Sequence, residues 1–223
     1  MSTTAVAKAE ARPDSSLAHE KPFPVLGLRL KRYADVVLAS AALIATSPVF
    51  LLIALAIKLD SQGSVLYRST RVGKKGATFT CLKFRTMVEG AEALQEKLRD
   101  RNERDRVLFK VRNDPRITRA GHFLRKYSLD ELPQFWNVFR GDMSLVGPRP
   151  ALPSEVAQYQ IDHLKRLDVL PGITGLWQVE ARRDPCFENY MKFDTEYVDR
   201  WSLWLDVKII LKTPRVVVGG TGQ

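Results

Sequence analysis

The sequence predicts a mostly helical α+β protein built on a proline-broken, re-entrant membrane helix with a small β-hairpin in the domain that follows. Three observations predict it. An uncharged apolar run covers Val36 to Ile57 and is interrupted by Ser47 and Pro48, two β-prone stretches flank a basic turn at Gly73 to Gly76, and most of the remainder is helix-like in pattern.

The apolar run is long enough to cross a bilayer, since its twenty-two residues would make a helix of about 33 Å against a hydrocarbon core of roughly 30 Å. Its flanks argue for a different path. Arg29, Lys31 and Arg32 precede it and Lys58, Arg68, Arg71, Lys74 and Lys75 follow it, whereas Lys and Arg beside membrane segments favour the cytoplasmic side. A helix that enters, bends and leaves by one face satisfies both flanks. Pro48 supplies the bend by removing a backbone donor, and Thr46 or Ser47 can satisfy the freed carbonyl. The re-entrant segment is placed at residues 28–60, and a kinked span whose flanking charges touch headgroups is the alternative.

Ahead of it, residues 1–27 are predicted to form a disordered cytoplasmic tail, because they are rich in Ala, Ser, Thr, Glu and Pro and lack the basic start and apolar core of a signal peptide. The net charge of +10 calls for an anionic partner, which beside a membrane segment means lipid headgroups or a phosphorylated substrate. Nucleic acid is set aside, since no helix-turn-helix, zinc finger or RNA-recognition motif is visible. Cys81 and Cys186 form no metal or disulfide pattern, and His19, His122 and His163 have no ligand spacing. Any metal should therefore take oxygen ligands, as Mg²⁺ does.

The hairpin is expected from Ser64 to Tyr67 and Ala77 to Phe84. Val88 to Phe109 is charged and rich in Ala, Leu, Glu and Lys, which predicts a solvated helix, and a second helix should end near Lys126. Ser128 with Glu131 reads as a capping box. Leu132, Phe135, Trp136 and Phe139 would then form one apolar face, with Asp130 opposite it and Glu131 to one side. Two acids in a first helical turn are catalytic candidates, although such acids commonly do no more than cap.

The stretch GDMSLVGPRP from Gly141 to Pro150 ends that helix and fixes Arg149 between two prolines. A guanidinium so held suits a pair of phosphate oxygens; an ordinary surface turn would look the same. Further helices are expected at Ser154 to Asp168 and Phe193 to Lys212, with a turn at Pro171 to Gly175 between them. Trp201 and Trp204 in the last helix fit either a membrane interface or plain core packing.

Five segments together carry more information than any of these alone: KFRTM at Lys83 to Met87, DPRIT at Asp114 to Thr118, LRKYSLDELPQFWNV at Leu124 to Val138, SLVGPRP at Ser144 to Pro150 and PGITGLWQV at Pro171 to Val179. In this ordered set the chain resembles the bacterial sugar transferases, the monotopic polyprenyl-phosphate phosphoglycosyl transferases, in their minimal catalytic form. The resemblance covers Leu28 to Val216, which implies a catalytic domain over residues 61–216 and a C-terminal tail over 217–223. It implies a fold of helices, some lying along the membrane surface, with a small β-hairpin.

The activity implied is transfer of a sugar-1-phosphate, a hexose-1-phosphate by preference, from a UDP-sugar to polyprenyl phosphate at the cytoplasmic face of a bacterial inner membrane. Polyprenyl diphosphate-sugar and UMP would be the products, at the start of an exopolysaccharide or other surface glycan. The resemblance makes Asp130 the nucleophile and ties Glu131, with Asp130, to Mg²⁺ or Mn²⁺. A carboxylate nucleophile divides one exchange between bulky anions into two displacements, and a divalent ion offsets their charge. Lys83, Arg85, Arg125 and Arg149 are expected to bind phosphate, with membrane lipid as the alternative partner of Lys83 and Arg85. Asp206 is expected to reach the metal or nucleotide. A nucleotide-sugar hydrolase, a membrane-attached nucleic-acid binder and a silent scaffold compete with this reading.

Overall fold

The computed structural model describes residues 24–102, 111, 113–182 and 184–219, so most of the predicted N-terminal tail and the last four residues lie outside it. One helix dominates. Helix α1 runs as a single element from Val25 to Asp60, with Pro48 inside it, and is long and apolar enough to cross a membrane. Pro48 cannot donate to the carbonyl of Ile44, four residues earlier. Ser47 does so instead, its hydroxyl donating to that oxygen at 2.8 Å, while Thr46 donates to Ala42 at 2.7 Å.

Both ends of α1 are tied to the same body. Near its start, Arg32 donates to the carbonyls of Val138 and Phe139 at 2.6 and 2.8 Å, at the C-terminal end of helix α3 (Gln134–Arg140), where carbonyls without helical partners favour a cation. Asp35 is buried and accepts from the Leu145 amide at 2.9 Å. Near its end, Ile53 and Ile57 pack with Phe84 and Leu124, and Asp60 accepts from the Ala120 amide at 2.8 Å, in helix α2 (Arg119–Lys126). Between these anchors, residues 41–50 contribute no buried side chain.

Strands β1 (Leu66–Val72) and β2 (Thr78–Phe84) form the predicted antiparallel hairpin, registered from Leu66 opposite Phe84 to Val72 opposite Thr78. The first strand lies further along the chain than expected. A second sheet was not anticipated: β3 (Ser144–Val146) pairs in parallel with β4 (Gly172–Thr174). Glycine makes this approach possible, since a Cβ on Gly172 would lie 2.1 Å from the Gly147 nitrogen.

Several predicted helices are shorter or absent. Among the described residues, Val88 onward forms turns and one 3₁₀ helix, Glu96–Arg101. The amide of Val88 donates to Arg116 and that of Thr118 to Thr86, and Gly90 turns the chain at φ +74°. Beyond this cross-link the backbone closes tight turns, with Ala91 donating to Val88, Ala93 to Gly90, Gln95 to Glu92 and Leu98 to Gln95, in place of an α-helix. The capping box also fails. Helix α2 ends immediately before, and Ser128 takes a left-handed conformation (φ 53°, ψ 23°) whose side chain caps nothing. Leu129–Glu131 is consequently a single 3₁₀ turn ahead of α3.

In α3 the buried face is Gln134, Asn137 and Val138 rather than the predicted apolar stripe. Asn137 is satisfied there by donating to Thr80 and Asp142 and accepting from the Leu82 amide, which stitches α3 to the hairpin. Trp136 and Phe139 instead stack on each other at 5.5 Å and stay 44% and 41% exposed. The helix expected at 154–168 is split into α4 (Pro153–Val156) and a 3₁₀ helix, Ile161–Asp168. After α5 (Leu176–Glu180), the predicted last helix is likewise two, α6 (Phe187–Asp199) and α7 (Leu203–Val218). Ser202 caps the second by accepting from the Leu205 amide. Trp201 packs beside Tyr197 and Ile209, while Trp204 is 63% exposed.

Candidate active site

The hairpin, the 3₁₀ turn Leu129–Glu131, the Pro148 to Pro150 segment, β4, α5 and the end of α7 enclose a cleft of about 360 Å³. Its charges are unequal. Arg71, Lys83, Arg149 and Arg182 line it, and among its lining residues Glu131 is the one carboxylate. Such a surface attracts a polyanion.

Lys83 and Glu131 meet at 2.7 Å between half-buried side chains. Burial alone would raise the Glu131 pKa, but the Lys83 ammonium outweighs it and holds the carboxyl below its usual range. Asp130, next to Glu131 in the chain, is not among the residues lining the cleft and has 8% of its surface exposed. Burial pushes its pKa up to about 6, with Lys83 and Arg125 opposing and Glu131 adding to the rise. Two adjacent carboxylates thus differ in ionisation, because one has a cation in contact and the other has cations only nearby.

Arg125 is fixed by donating to the Thr86 hydroxyl at 2.9 Å. Its burial lowers its pKa against the attraction of Asp130. Arg149 contacts Glu155 at 3.4 Å, and Glu155 also accepts from the Leu152 amide at 2.8 Å. The carbonyl of Arg149 accepts from the buried Arg166 at 2.6 Å, and Arg166 is itself paired with Asp194 at 2.6 Å. Burial opposes the Arg149 charge, but Glu155 and Tyr190 more than offset it and the pKa lies above the ordinary arginine value. The Pro-Arg-Pro turn is therefore held from behind by a buried ionic network.

Of the residues expected to work together, Glu131, Lys83 and Arg149 line the cleft, and Asp130 and Arg125 lie outside its lining but close enough to act on one another's charge. Arg85 does not join them. It donates to the carbonyls of Ser61, at 2.9 Å, and Gln62, closing the loop after α1. Asp206 is also elsewhere, accepting from Lys31 at 2.6 Å, the Tyr197 hydroxyl at 2.7 Å and the Trp201 indole at 3.2 Å; it fastens α1 to α7.

Two cleft residues escaped sequence reasoning. Arg71 sits opposite Phe79 in the hairpin, two residues from the Ser69 and Cys81 pair and four from the Tyr67 and Lys83 pair. It shares the face of Lys83 by the period of two, so correct strand bounds would have found it. It donates to the Pro150 carbonyl at 3.1 Å, and burial followed by repulsion from Arg149 lowers its pKa. Arg182 donates to the Ser128 hydroxyl at 3.1 Å and arrives by the chain reversal after α5, which leaves no local signal.

Among the described residues no group of three or more His, Cys, Asp or Glu side chains is arranged to hold a metal ion. A single pair of adjacent carboxylates still suits Mg²⁺, which is commonly bound through one or two carboxylates with substrate phosphates and water completing its shell.

A recessed carboxylate beside a cation-lined cleft, on a domain carried by an apolar helix, is a site suited to phosphate groups. The chain belongs to the bacterial sugar transferase family, whose model matches residues 26–220. It is 47% identical over 192 residues to the exopolysaccharide production protein ExoY of Rhizobium meliloti (strain 1021), covering 84% of this chain and 85% of that one. It is 44% identical over 200 residues to the undecaprenyl-phosphate galactose phosphotransferase of Salmonella typhimurium, covering 86% of this chain and 41% of that protein. Identity to the UDP-glucose:undecaprenyl-phosphate glucose-1-phosphate transferase of Escherichia coli (strain K12) is 41% over 204 residues, 87% of this chain and 41% of that one. The chain thus spans most of the first relative and about two fifths of the other two.

Proposed function

We propose that this protein transfers a hexose-1-phosphate from a UDP-sugar to polyprenyl phosphate, through a covalent intermediate on Asp130, in exopolysaccharide or other surface glycan synthesis. The observation that carries the reading is Asp130 itself: buried, with its pKa raised to about 6, behind a cleft lined by four cations. A carboxylate with a pKa near 6 is a stronger nucleophile than an ordinary aspartate and is still ionised at neutral pH.

In the first displacement an Asp130 oxygen bonds to the β-phosphorus as its bond to the bridging oxygen breaks, and UMP leaves with that electron pair. An oxygen of polyprenyl phosphate then bonds to the same phosphorus. The aspartyl–phosphorus bond breaks, polyprenyl diphosphate-sugar departs, and Asp130 regains its carboxylate. Lys83 and Arg125 flank the reacting carboxylate, while Arg71, Arg149 and Arg182 hold the surrounding phosphates, since loose phosphoryl transition states are stabilised chiefly by positioned charge. Glu131 and Asp130 would hold Mg²⁺, or Mn²⁺ in its place, which when bound offsets the charge of the diphosphate.

The acceptor's tail stays in a bilayer, so the domain has to work at its surface. Anchoring of α1 to one body through Arg32 and Asp35 at its start and Ile57 and Asp60 at its end supports a re-entrant helix whose bare middle dips into the cytoplasmic leaflet of the inner membrane. A spanning helix would put its two ends on opposite sides of the bilayer.

Purified protein with a UDP-hexose and no acceptor should release about one equivalent of UMP per active site and then stop, resuming when undecaprenyl phosphate is added. Continuous release without lipid would make the protein a nucleotide-sugar hydrolase instead.

A further inference from the structure

The cleft has an apolar half that phosphate chemistry does not use. Leu132 and Phe135 form part of one wall: Leu132 packs against the buried cluster that includes Ile53 and Ile57 of α1, and Phe135 against the one that includes Ala39 of α1. The facing wall includes Val216 and Val217 on the last turn of α7. That turn is set by Thr213, whose hydroxyl meets that of Thr174 in β4 at 2.9 Å.

Helix α7 has a second apolar edge, because Trp204, Val207, Leu211 and Val218 are all exposed at spacings that place them along one stripe. The cleft consequently lies between two elements that both present apolar surface outward. A water-soluble sugar nucleotide needs no such path. An amphiphile with an anionic head and a long hydrocarbon tail fits it at both ends.

We propose that the groove between Phe135 and Val217 admits the prenyl tail of the acceptor, letting its phosphate reach the cationic end of the cleft while the tail passes over α7 into the bilayer. This rests on the transferase reading above and adds to it the route and the chemistry of acceptor selection. The groove selects for chain length and apolarity, whereas the arginines select only for phosphate.

The test compares wild type and Val217→Asn with undecaprenyl phosphate and with geranyl phosphate as acceptors, alongside UMP release in the absence of acceptor. KM for undecaprenyl phosphate should rise about tenfold and KM for geranyl phosphate by no more than about twofold, because only the longer tail runs the length of the groove. The UMP burst should be retained. Equal effects on both acceptors, or a raised KM for the UDP-sugar, would overturn the proposal, the second by assigning the groove to the nucleoside. Wild-type protein photolysed with a polyprenyl phosphate carrying a diazirine in its tail gives an answer that needs no variant. Adducts should fall on the peptides containing Phe135 and Val217, and labelling confined to α1 would overturn the route. Absence of a burst in wild type would instead remove the two-step reading beneath it.

Discussion

Replacing Asp130 by Asn should abolish sugar-phosphate transfer and at the same time stabilise the fold at alkaline pH. The carboxyl is 8% exposed and its pKa rises from 3.8 to about 6. A shift of about two units corresponds to roughly 3 kcal/mol against the ionised form. Because the folded-state pKa is the higher one, the folded protein binds the proton more tightly. Stability therefore falls as pH rises from about 4 to about 6, and the whole penalty is present above that window.

Asparagine carries no charge at any pH and leaves the Lys83 and Glu131 pair in place. At pH 8 the variant should be more stable by up to about 3 kcal/mol, or roughly 6 to 12 °C in Tm for a domain of this size. At pH 4 most of that gap should close. Thermal unfolding of both proteins in the same detergent, followed by near-UV circular dichroism at the two pH values, measures it. A variant no more stable than wild type at pH 8, or a gap that ignores pH, would refute the idea that the Asp130 charge is strained by its site.

Arg71→Ala should cut kcat/KM for the UDP-sugar by at least about tenfold, as loss of a charged phosphate contact implies, whereas Arg85→Ala should act mainly on Tm, since Arg85 closes the loop after α1; steady-state UMP assays and thermal melts separate the two. Removal of divalent ions with EDTA should stop turnover and Mg²⁺ or Mn²⁺ should restore it, while full activity in rigorously metal-free buffer would contradict the role given to Glu131. Single cysteines near Ala5 and Gln223, in a background lacking Cys81 and Cys186, should both resist an impermeant thiol reagent added from the periplasmic side, and labelling at Ala5 alone would show that α1 spans the membrane.

What could be read in the sequence was whatever is encoded locally. The apolar run, the hairpin turn and the Gly141 helix stop each depend on a few adjacent residues, and each has its counterpart in the structure, with Gly141 at φ +97°; at Ser47 and Pro48, where a break was expected, α1 runs on as one helix. Legibility ended where distant segments compete for the backbone. Residues 86–88 are tied to 116–118 by backbone bonds and the chain after them closes tight turns, so helix-forming composition after Val88 misled. Ser128 looked like a cap until the reversal after α2 forced it left-handed. At the candidate site, Lys83, Arg125, Arg149 and the acidic pair were singled out through the ordered motifs. Arg182 was not, because its place depends on folding across more than fifty residues to reach Ser128.

The most direct measurement is the mass of the protein after reaction with a UDP-hexose in the absence of acceptor, followed by peptide mapping. A covalent mechanism predicts a hexose-phosphate adduct on the peptide carrying Asp130, which disappears on adding undecaprenyl phosphate and never forms in Asp130→Asn. An unmodified Asp130 peptide in protein that turns over normally, or an adduct that polyprenyl phosphate cannot discharge, would contradict it.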